Sequence, residues 1–442
     1  MVSVITSFSR ITILSFVLIF TAIDIFQMFE YKMSDSLNSI LSTIQAVIVV
    51  VFLINGSVVL FISKNNVTII GLLFLELMLF TGIVVALYKT ATPISRALIN
   101  NVLMFMSFGF LMLERLKLNT AVKQLGFTIA SLIITLMAIL IIKNVKHVSE
   151  HIYFYAGIGI VSLLLVSILG RVEYGARTSF AIMGIRIQPS EFVKLSFIFF
   201  IAAAICTYRD YRGFAIATIG SMLHVIVLVF SKDLGSALIF LGTYAFLIFI
   251  AYKNYIVMTL EFVLATIGGI LAFKLFPHIQ TRFIAWSDPL SVIDDKGYQI
   301  SQSLFAIGTP GWLGTGLNNG MPNKIPIVTN DFIFAAIAEE MGNVVAVCLI
   351  IMFMCTVFIL LMIAHETANN FYMLVVSGIG IIFAIQTILN IGGVIKFIPS
   401  TGVTLPFVSN GGSSMLSMMI CLFIAECSGE LANKNTRGTY ER

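Results

Sequence analysis

Charged residues are scarce in this 442-residue chain. Asp, Glu, Lys and Arg make up only 11% of positions, against 59% hydrophobic residues, about half the charged fraction of an ordinary globular protein. Such a chain cannot cover itself with polar surface in water, which excludes a soluble globular enzyme. The net charge of +5 is small for the length and scattered over short loops, so no nucleic-acid footprint is present and no nucleic-acid partner is expected. Cysteine is sparse as well. Cys206, Cys348, Cys355 and Cys421 fall in or at the ends of apolar blocks, and Cys427 follows the last one. That spacing suits neither a disulfide framework nor a metal site, so buried thiols are expected. The first apolar block, Ile11 to Phe29, lacks a strong basic start and a small-residue cleavage site, and reads as a retained helix rather than a signal peptide.

What the chain has instead is apolar blocks of roughly 20 residues, the length that crosses a hydrocarbon core as a helix. Spans are expected near 11–29, 41–63, 67–88, 97–113, 124–142, 153–170, 188–207, 213–231, 235–252, 256–276, 332–363, 371–391 and 406–427. Helices are the expected form because in lipid each backbone N–H and C=O must be satisfied within its own segment, and the alternation of barrel strands is absent. The expected fold is therefore an all-α polytopic membrane protein. Residues 277 to 330 form the longest polar interruption, rich in Gly, Pro, Asp and Asn, with Trp286 and Trp312 suited to a membrane interface. A connection of this length between membrane helices is usually functional.

Lys143 with Lys146, Arg209 with Arg212, Lys253, and Lys434 and Arg437 in the tail 428–442 fit one side of the membrane. The excess of Lys and Arg marks that side as cytoplasmic, which puts loop 277–330 outside. Two charged segments run against this orientation: Glu114 to Lys117 with Lys123, and Arg171 to Arg186.

Several polar clusters sit where lipid makes polarity costly. Glu191 and Lys194 stand three apart at the start of an apolar block, after Arg177 and Gln188-Pro189-Ser190. They can pair on one helix face, either locking helices together or serving a substrate. Ser231-Lys232-Asp233-Leu-Gly-Ser opens another block, where Asp233 suits a helix N-terminus. Asp331-Phe-Ile-Phe-Ala-Ala-Ile-Ala-Glu339-Glu340-Met-Gly342 places two adjacent acids about two turns into a helix. Helical spacing would put Asp331 and Glu339 near one face, where they could converge. The run from Pro399 to Ser414, which holds Ser409, Gly411 and Gly412, is rich in Pro and Gly. Irregular backbone is expected there, tolerated at membrane depth only when covered by protein or lining a wet cavity.

Taken in order, GAR…QPSE-x-x-K, KDLG, GYQ-x-x-QSL-x-AIG, DFIFA-x-x-AEE-x-G and P-x-TGV-x-LPF-x-S-x-GGSS resemble the motif set of the SEDS family, the group containing FtsW, RodA and SpoVE. The resemblance covers about residues 97 to 427, with Phe108 to Leu116 and Lys123-Gln124 similar to the first core helix and its exit. It implies a bundle of about ten core helices, preceded here by about three extra helices in residues 1–96.

The resemblance further implies polymerisation of lipid II into glycan strands at the outer face of the bacterial cytoplasmic membrane, alongside a class B penicillin-binding protein and membrane lipids. A sugar hydroxyl would attack an anomeric carbon whose leaving group is undecaprenyl pyrophosphate. A carboxylate would serve as general base, and cationic groups or a divalent metal, Mg or Mn, would neutralise the leaving group; no organic cofactor is implied. Arg177, Lys194 and Lys232 are the candidate cationic contacts, and Gln299 and Gln302 the candidate sugar or phosphate contacts. Gln188, Glu191, Asp233, Ser303, Asp331, Glu339, Glu340, Ser409, Gly411 and Gly412 complete the candidate substrate site.

At one point the chain departs from the family pattern. Polymerising members carry an aspartate five residues before the glycine of GYQ, and here that position is Val292. Valine neither accepts a proton nor binds metal. Asp294 and Asp295 lie only ~7 Å of extended chain away, and Asp288 is a third candidate, each equally well read as a solvated turn acid. A second departure is Thr178-Ser179 after Arg177, where the family commonly has Arg-Trp. Three functions thus come forward: a peptidoglycan glycosyltransferase, a lipid II transporter using the intramembrane acids, and a non-catalytic partner of a penicillin-binding protein.

Overall fold

The computed structural model describes residues 2–29, 34–88, 93–145, 147–173, 176–182, 185–208 and 210–440. Lys146, Tyr174, Gly175 and Arg209 lie outside the described residues, as do the side chains of Lys434 and Arg437. Among the described residues, 13 helices are long and apolar enough to cross a membrane, and the chain is a multi-pass membrane protein.

Three helices, α1 (Val2–Phe29), α2 (Asp35–Lys64) and α3 (Thr68–Leu87), precede α4 (Pro93–Leu116) and α5 (Leu118–Asn144). After α6 (Ile152–Leu169) the chain forms a small antiparallel sheet of β1 (Arg171–Glu173), β2 (Ala176–Ile182) and β3 (Ile185–Ile187), in the order β1-β2-β3. Strand pairing satisfies the backbone of a segment too polar to continue as a membrane helix. This sheet is the one departure from the all-α expectation among the described residues. Four helices follow: α7 (Pro189–Thr207), α8 (Tyr211–Phe230), α9 (Leu234–Tyr252) and α10 (Tyr255–Leu275). Local chemistry sets their starts: Pro189 occupies the first turn of α7, where no N–H is missed. Asp210, Asp233 and Asn254 accept hydrogen bonds from the first free N–H groups of α8, α9 and α10.

The interruption 277–330 is not a plain loop. It contains α11 (Pro277–Ser287) and α12 (Tyr298–Gly308). Of the two tryptophans expected at a membrane interface, Trp286 donates its indole N–H to the Lys396 carbonyl at 3.2 Å and Trp312 is exposed. The apolar block 332–363 is likewise two helices, α13 (Ile333–Met341) and α14 (Asn343–Glu366), broken at Gly342. Gly342 adopts φ +99°, and a Cβ there would lie 2.5 Å from the Trp312 carbonyl oxygen, so only glycine fits. The chain closes with α15 (Asn370–Val394), an irregular stretch, and α16 (Gly412–Tyr440), whose helix continues through the polar tail.

Two compact units emerge. One comprises Met1–Leu132, Ala285–Ile359 and Asn390–Gly411; the other comprises Ile133–Ile284, Leu360–Leu389 and Gly412–Arg442. The extension of residues 1–96 belongs to the first unit. There α4 is the central helix, every residue of its apolar window being buried, whereas none of that of α10 in the second unit is. Phe105 on α4 stacks on Phe353 of α14 at 4.1 Å between ring centroids.

Candidate functional site

In the second unit, the first two motifs and the start of α16 meet. The Arg177 backbone N–H donates to the Ser231 carbonyl at 3.1 Å, joining the GAR strand to the KDLG turn. Asp233 caps α9 by accepting from the Ser236 N–H at 3.1 Å and its hydroxyl at 2.8 Å. Its other link reaches α7, where the Ser190 hydroxyl donates to Asp233 Oδ2 at 3.1 Å. Gln188 donates from its side-chain amide to Ser190 and from its backbone N–H to the Ser413 hydroxyl, both at 3.1 Å. Asp233 is thus cap and crosslink at once.

Glu191 and Lys194 form the expected pair, one turn apart on α7, at 2.9 Å. Lys194 is 1% exposed and also donates to Gln386 Oε1 on α15 at 2.8 Å, while Ser417 on α16 donates to the Glu191 carbonyl at 2.6 Å. This network braces α7, α15 and α16 and holds the Lys194 ammonium between Glu191 and Gln386.

Two other cations stay at the surface. Lys232 is exposed in a left-handed turn, φ +62°. Arg177 is exposed too, its guanidinium donating to the Ile168 carbonyl at the end of α6 at 3.1 Å. Arg282, one turn from His278 on α11, adds to the positive potential near Lys232. Burial first, then Arg282 and Lys232, hold the His278 pKa below the usual imidazole value. Neither residue was singled out in the sequence; the i, i+4 basic pair beside Pro277 was the available signal. A cavity of about 350 Å³ opens between α6, the sheet and α7, lined mainly by apolar groups including Leu165, Phe180, Phe192 and Val193.

In the first unit, the acid-bearing segment between α11 and α12 folds as consecutive turns. Val292 offers its carbonyl to the N–H groups of Asp295 at 3.2 Å and Gly297 at 2.8 Å. Asp288 caps its own turn, accepting from the Ser291 N–H at 3.3 Å, and the following Pro289 carbonyl accepts from the Ser301 hydroxyl at 3.1 Å. Asp294 and Asp295 are exposed, and neither side chain is held by a hydrogen bond or ion pair among the described residues. On α12, Gln299 donates to the Pro326 carbonyl at 3.0 Å and Ser303 to the Val394 carbonyl at 2.9 Å, which makes both struts of the fold. Gln302 is half-buried between them.

The paired acids separate in role. Glu340, fully buried, takes Arg115 of α4 at 2.8 Å and the Asn318 N–H at 3.0 Å; Glu339 accepts from the Met321 N–H at 2.6 Å. Asp331 precedes the first turn of α13, which starts at Ile333, so the helical spacing that would have brought it to Glu339 does not apply; its carbonyl accepts from Asn390 at 3.0 Å. Arg115 and Glu114, read as charges in a loop, belong to the last turn of α4 and are buried, which removes Arg115 from the positive-inside tally. In the irregular stretch before Gly411, Ser409 accepts from the Leu405 N–H at 2.9 Å and donates to the Asn330 carbonyl. The Gly411 N–H donates to Gln124 at 3.1 Å, and Gly412 opens α16.

The FtsW/RodA/SpoVE family model, described as cell cycle protein, matches residues 90–427. The chain belongs to this family. Among curated relatives, a peptidoglycan glycosyltransferase RodA from Mycobacterium leprae is 30% identical over 380 residues, covering 80% of this chain and 81% of its own. A probable peptidoglycan glycosyltransferase FtsW from Wigglesworthia glossinidia brevipalpis is 34% identical over 274 residues, covering 59% of this chain and 71% of its own. The family fold recurs in a chain solved for the structural coordination of polymerization and crosslinking by a peptidoglycan synthase complex. It aligns with a TM-score of 0.64 at 22% identity, covering 76% of this chain and 97% of that one. RodA of Thermus thermophilus aligns with a TM-score of 0.53 at 22% identity over 75% of this chain and 95% of its own.

Proposed function

We propose that this member of the family is a peptidoglycan glycosyltransferase that polymerises lipid II at the outer face of the bacterial cytoplasmic membrane, working with a class B penicillin-binding protein. The observation that carries the reading is the pair Asp294 and Asp295, exposed and unengaged in the turn that leads into α12. A general base needs a free carboxylate lone pair. Val292 has none, and Asp288, which gives one oxygen to the Ser291 N–H at 3.3 Å and keeps the other free, is the third candidate.

In this reading Asp294 or Asp295 takes the proton from the attacking sugar hydroxyl as its oxygen bonds to the anomeric carbon, and the undecaprenyl pyrophosphate leaves with the bonding pair. The second unit, taken by itself, holds exposed Arg177 and Lys232, whose charge suits a phosphate group, and an apolar cavity beside β2 and α7 of a kind that suits a stretch of prenyl chain. Among the described residues no three His, Cys, Asp or Glu side chains group as a metal cage. The donors that fit a Mg or Mn ion are therefore the two adjacent carboxylates together with substrate phosphates, a common mode for Mg. Such an ion would offset charge on the departing pyrophosphate.

The test is purified full-length protein given labelled lipid II and a divalent metal, with and without a class B penicillin-binding protein. Glycan strands are expected. No product under any condition, with lipid II binding intact, would overturn the reading and leave the transporter and the non-catalytic partner, which a vesicle flipping assay separates.

A further inference from the structure

Glu76 on α3 and Glu114 in the last turn of α4 are both 0% exposed, and none of their four carboxylate oxygens has a hydrogen-bond partner. They come from α3 and α4, which pack on each other, and they stand close enough for their charges to interact. The cation that also acts on Glu114 is Lys64, at the end of α2. Its ammonium, however, donates to the backbone carbonyls of Glu114 at 2.9 Å and Arg115 at 2.6 Å, not to a carboxylate. Arg115 is committed to Glu340 at 2.8 Å.

Charge counting then leaves a deficit. Arg115 cancels Glu340, and Lys64 cancels one of Glu76 and Glu114. One negative charge stays uncompensated in a buried place, and buried charges in membrane proteins are paired or neutralised. Among the described residues, Glu339 from α13 also acts on Glu340, and Arg10 of α1, a further cation near this motif, donates to the Gly314 carbonyl at 3.1 Å.

We propose that Glu76 and Glu114 form a buried site for one monovalent cation, filled by a proton or an alkali-metal ion. Glu76 precedes residue 90, where the family match begins, so the site is built by the N-terminal extension upon the first core helix. Its occupancy sets the net charge beside the Arg115–Glu340 pair, and through it the extension couples pH or salt to the AEE motif.

Infrared difference spectroscopy on the full-length protein in lipid nanodiscs tests this, with radiolabelled sodium retention as the second readout. If a proton fills the site, wild type holds a protonated-carboxyl band at neutral pH that is lost in Glu76→Gln and in Glu114→Gln and is indifferent to sodium or potassium. If an alkali-metal ion fills it, that band falls when salt is added at fixed pH, and sodium retained by wild type is lost in both variants. Carboxyl spectra that superimpose for wild type and variants, together with equal sodium retention, would overturn the proposal. Should Glu114→Gln fail to fold, Glu76→Gln alone carries the comparison. Polymerisation of lipid II is not part of either readout, so this proposal and the glycosyltransferase reading stand or fall separately.

Discussion

Arg115, in the last turn of α4, and Glu340, at the end of α13, form a buried ion pair at 2.8 Å across 225 positions of sequence. The guanidinium also donates to the Gly320 carbonyl at 3.1 Å, so one side chain ties the first core helix, the AEE motif and the preceding loop. Removing one partner of such a pair strands the other charge. Arg115→Ala is expected to lower stability by roughly 3–5 kcal/mol. Arg115→Met combined with Glu340→Leu strands no charge, only the Asn318 N–H and the half-buried Gly320 carbonyl, a loss of roughly 1–3 kcal/mol. Equilibrium unfolding in mixed micelles measures both; a single variant no worse than the double would contradict the pairing argument.

The turn acids divide by engagement. Asp294→Ala combined with Asp295→Ala should abolish glycan synthesis from lipid II while leaving the melting temperature near wild type, because neither side chain is held by the fold. Asp288→Ala should loosen the turn and reduce the rate only modestly. Val292→Asp in the double-alanine background should restore measurable product, since it returns a carboxylate to the position the family pattern expects. Normal polymerisation by the double-alanine variant would show the base lies elsewhere.

Gly109 carries α4 past the irregular stretch before α16. A Cβ there would lie 2.6 Å from the Val408 carbonyl oxygen and 3.1 Å from its Cα, and these backbone atoms cannot rotate away. Gly109→Ala should therefore cost roughly 1–3 kcal/mol through overpacking. A thermal-shift series comparing it with Gly126→Ala, where a Cβ meets nothing within 4 Å, isolates the steric cost.

Asp233→Ala removes the α9 cap and the bond from Ser190. The cap is worth roughly 1 kcal/mol. Asp233→Asn keeps an acceptor for the Ser236 N–H and should recover much of that loss, which unfolding measurements on the two variants will show.

His278 should titrate below the ordinary imidazole value when followed by NMR in the intact protein. Burial and two neighbouring cations all disfavour its charged form. Arg282→Gln removes one cation and should raise the midpoint, though not fully to the ordinary value, because burial remains. The sign follows from linkage: a lowered folded-state pKa stabilises the protein above the unfolded-state value and loses that contribution as pH falls. A midpoint unmoved by Arg282→Gln would place the cause in burial and Lys232.

The sequence alone was enough for class, span count and family. Each rests on local or ordered features: runs of apolar residues long enough for the bilayer, and motifs such as QPSE and KDLG that keep their order. Helix starts at Pro189 and Asp233 were legible for the same reason, since a cap acts within a few residues of itself. The Glu191–Lys194 pair was legible too, being one helical turn apart.

Tertiary structure decided everything that depends on partners distant in the chain. The block 332–363 reads as one helix until the Trp312 carbonyl is found against Gly342. Nothing in the sequence links Gln299 and Ser303 to the distant Pro326 and Val394 carbonyls that take their hydrogen bonds. Glu114 and Arg115 read as loop charges against the orientation rule until burial and Glu340 claim them. Composition and spacing report what a segment prefers by itself, whereas the worth of a buried charge or polar group is set by the partner and the solvent it meets. That is why Glu76, silent among the apolar residues of α3, became visible only once its carboxylate was found buried beside Glu114.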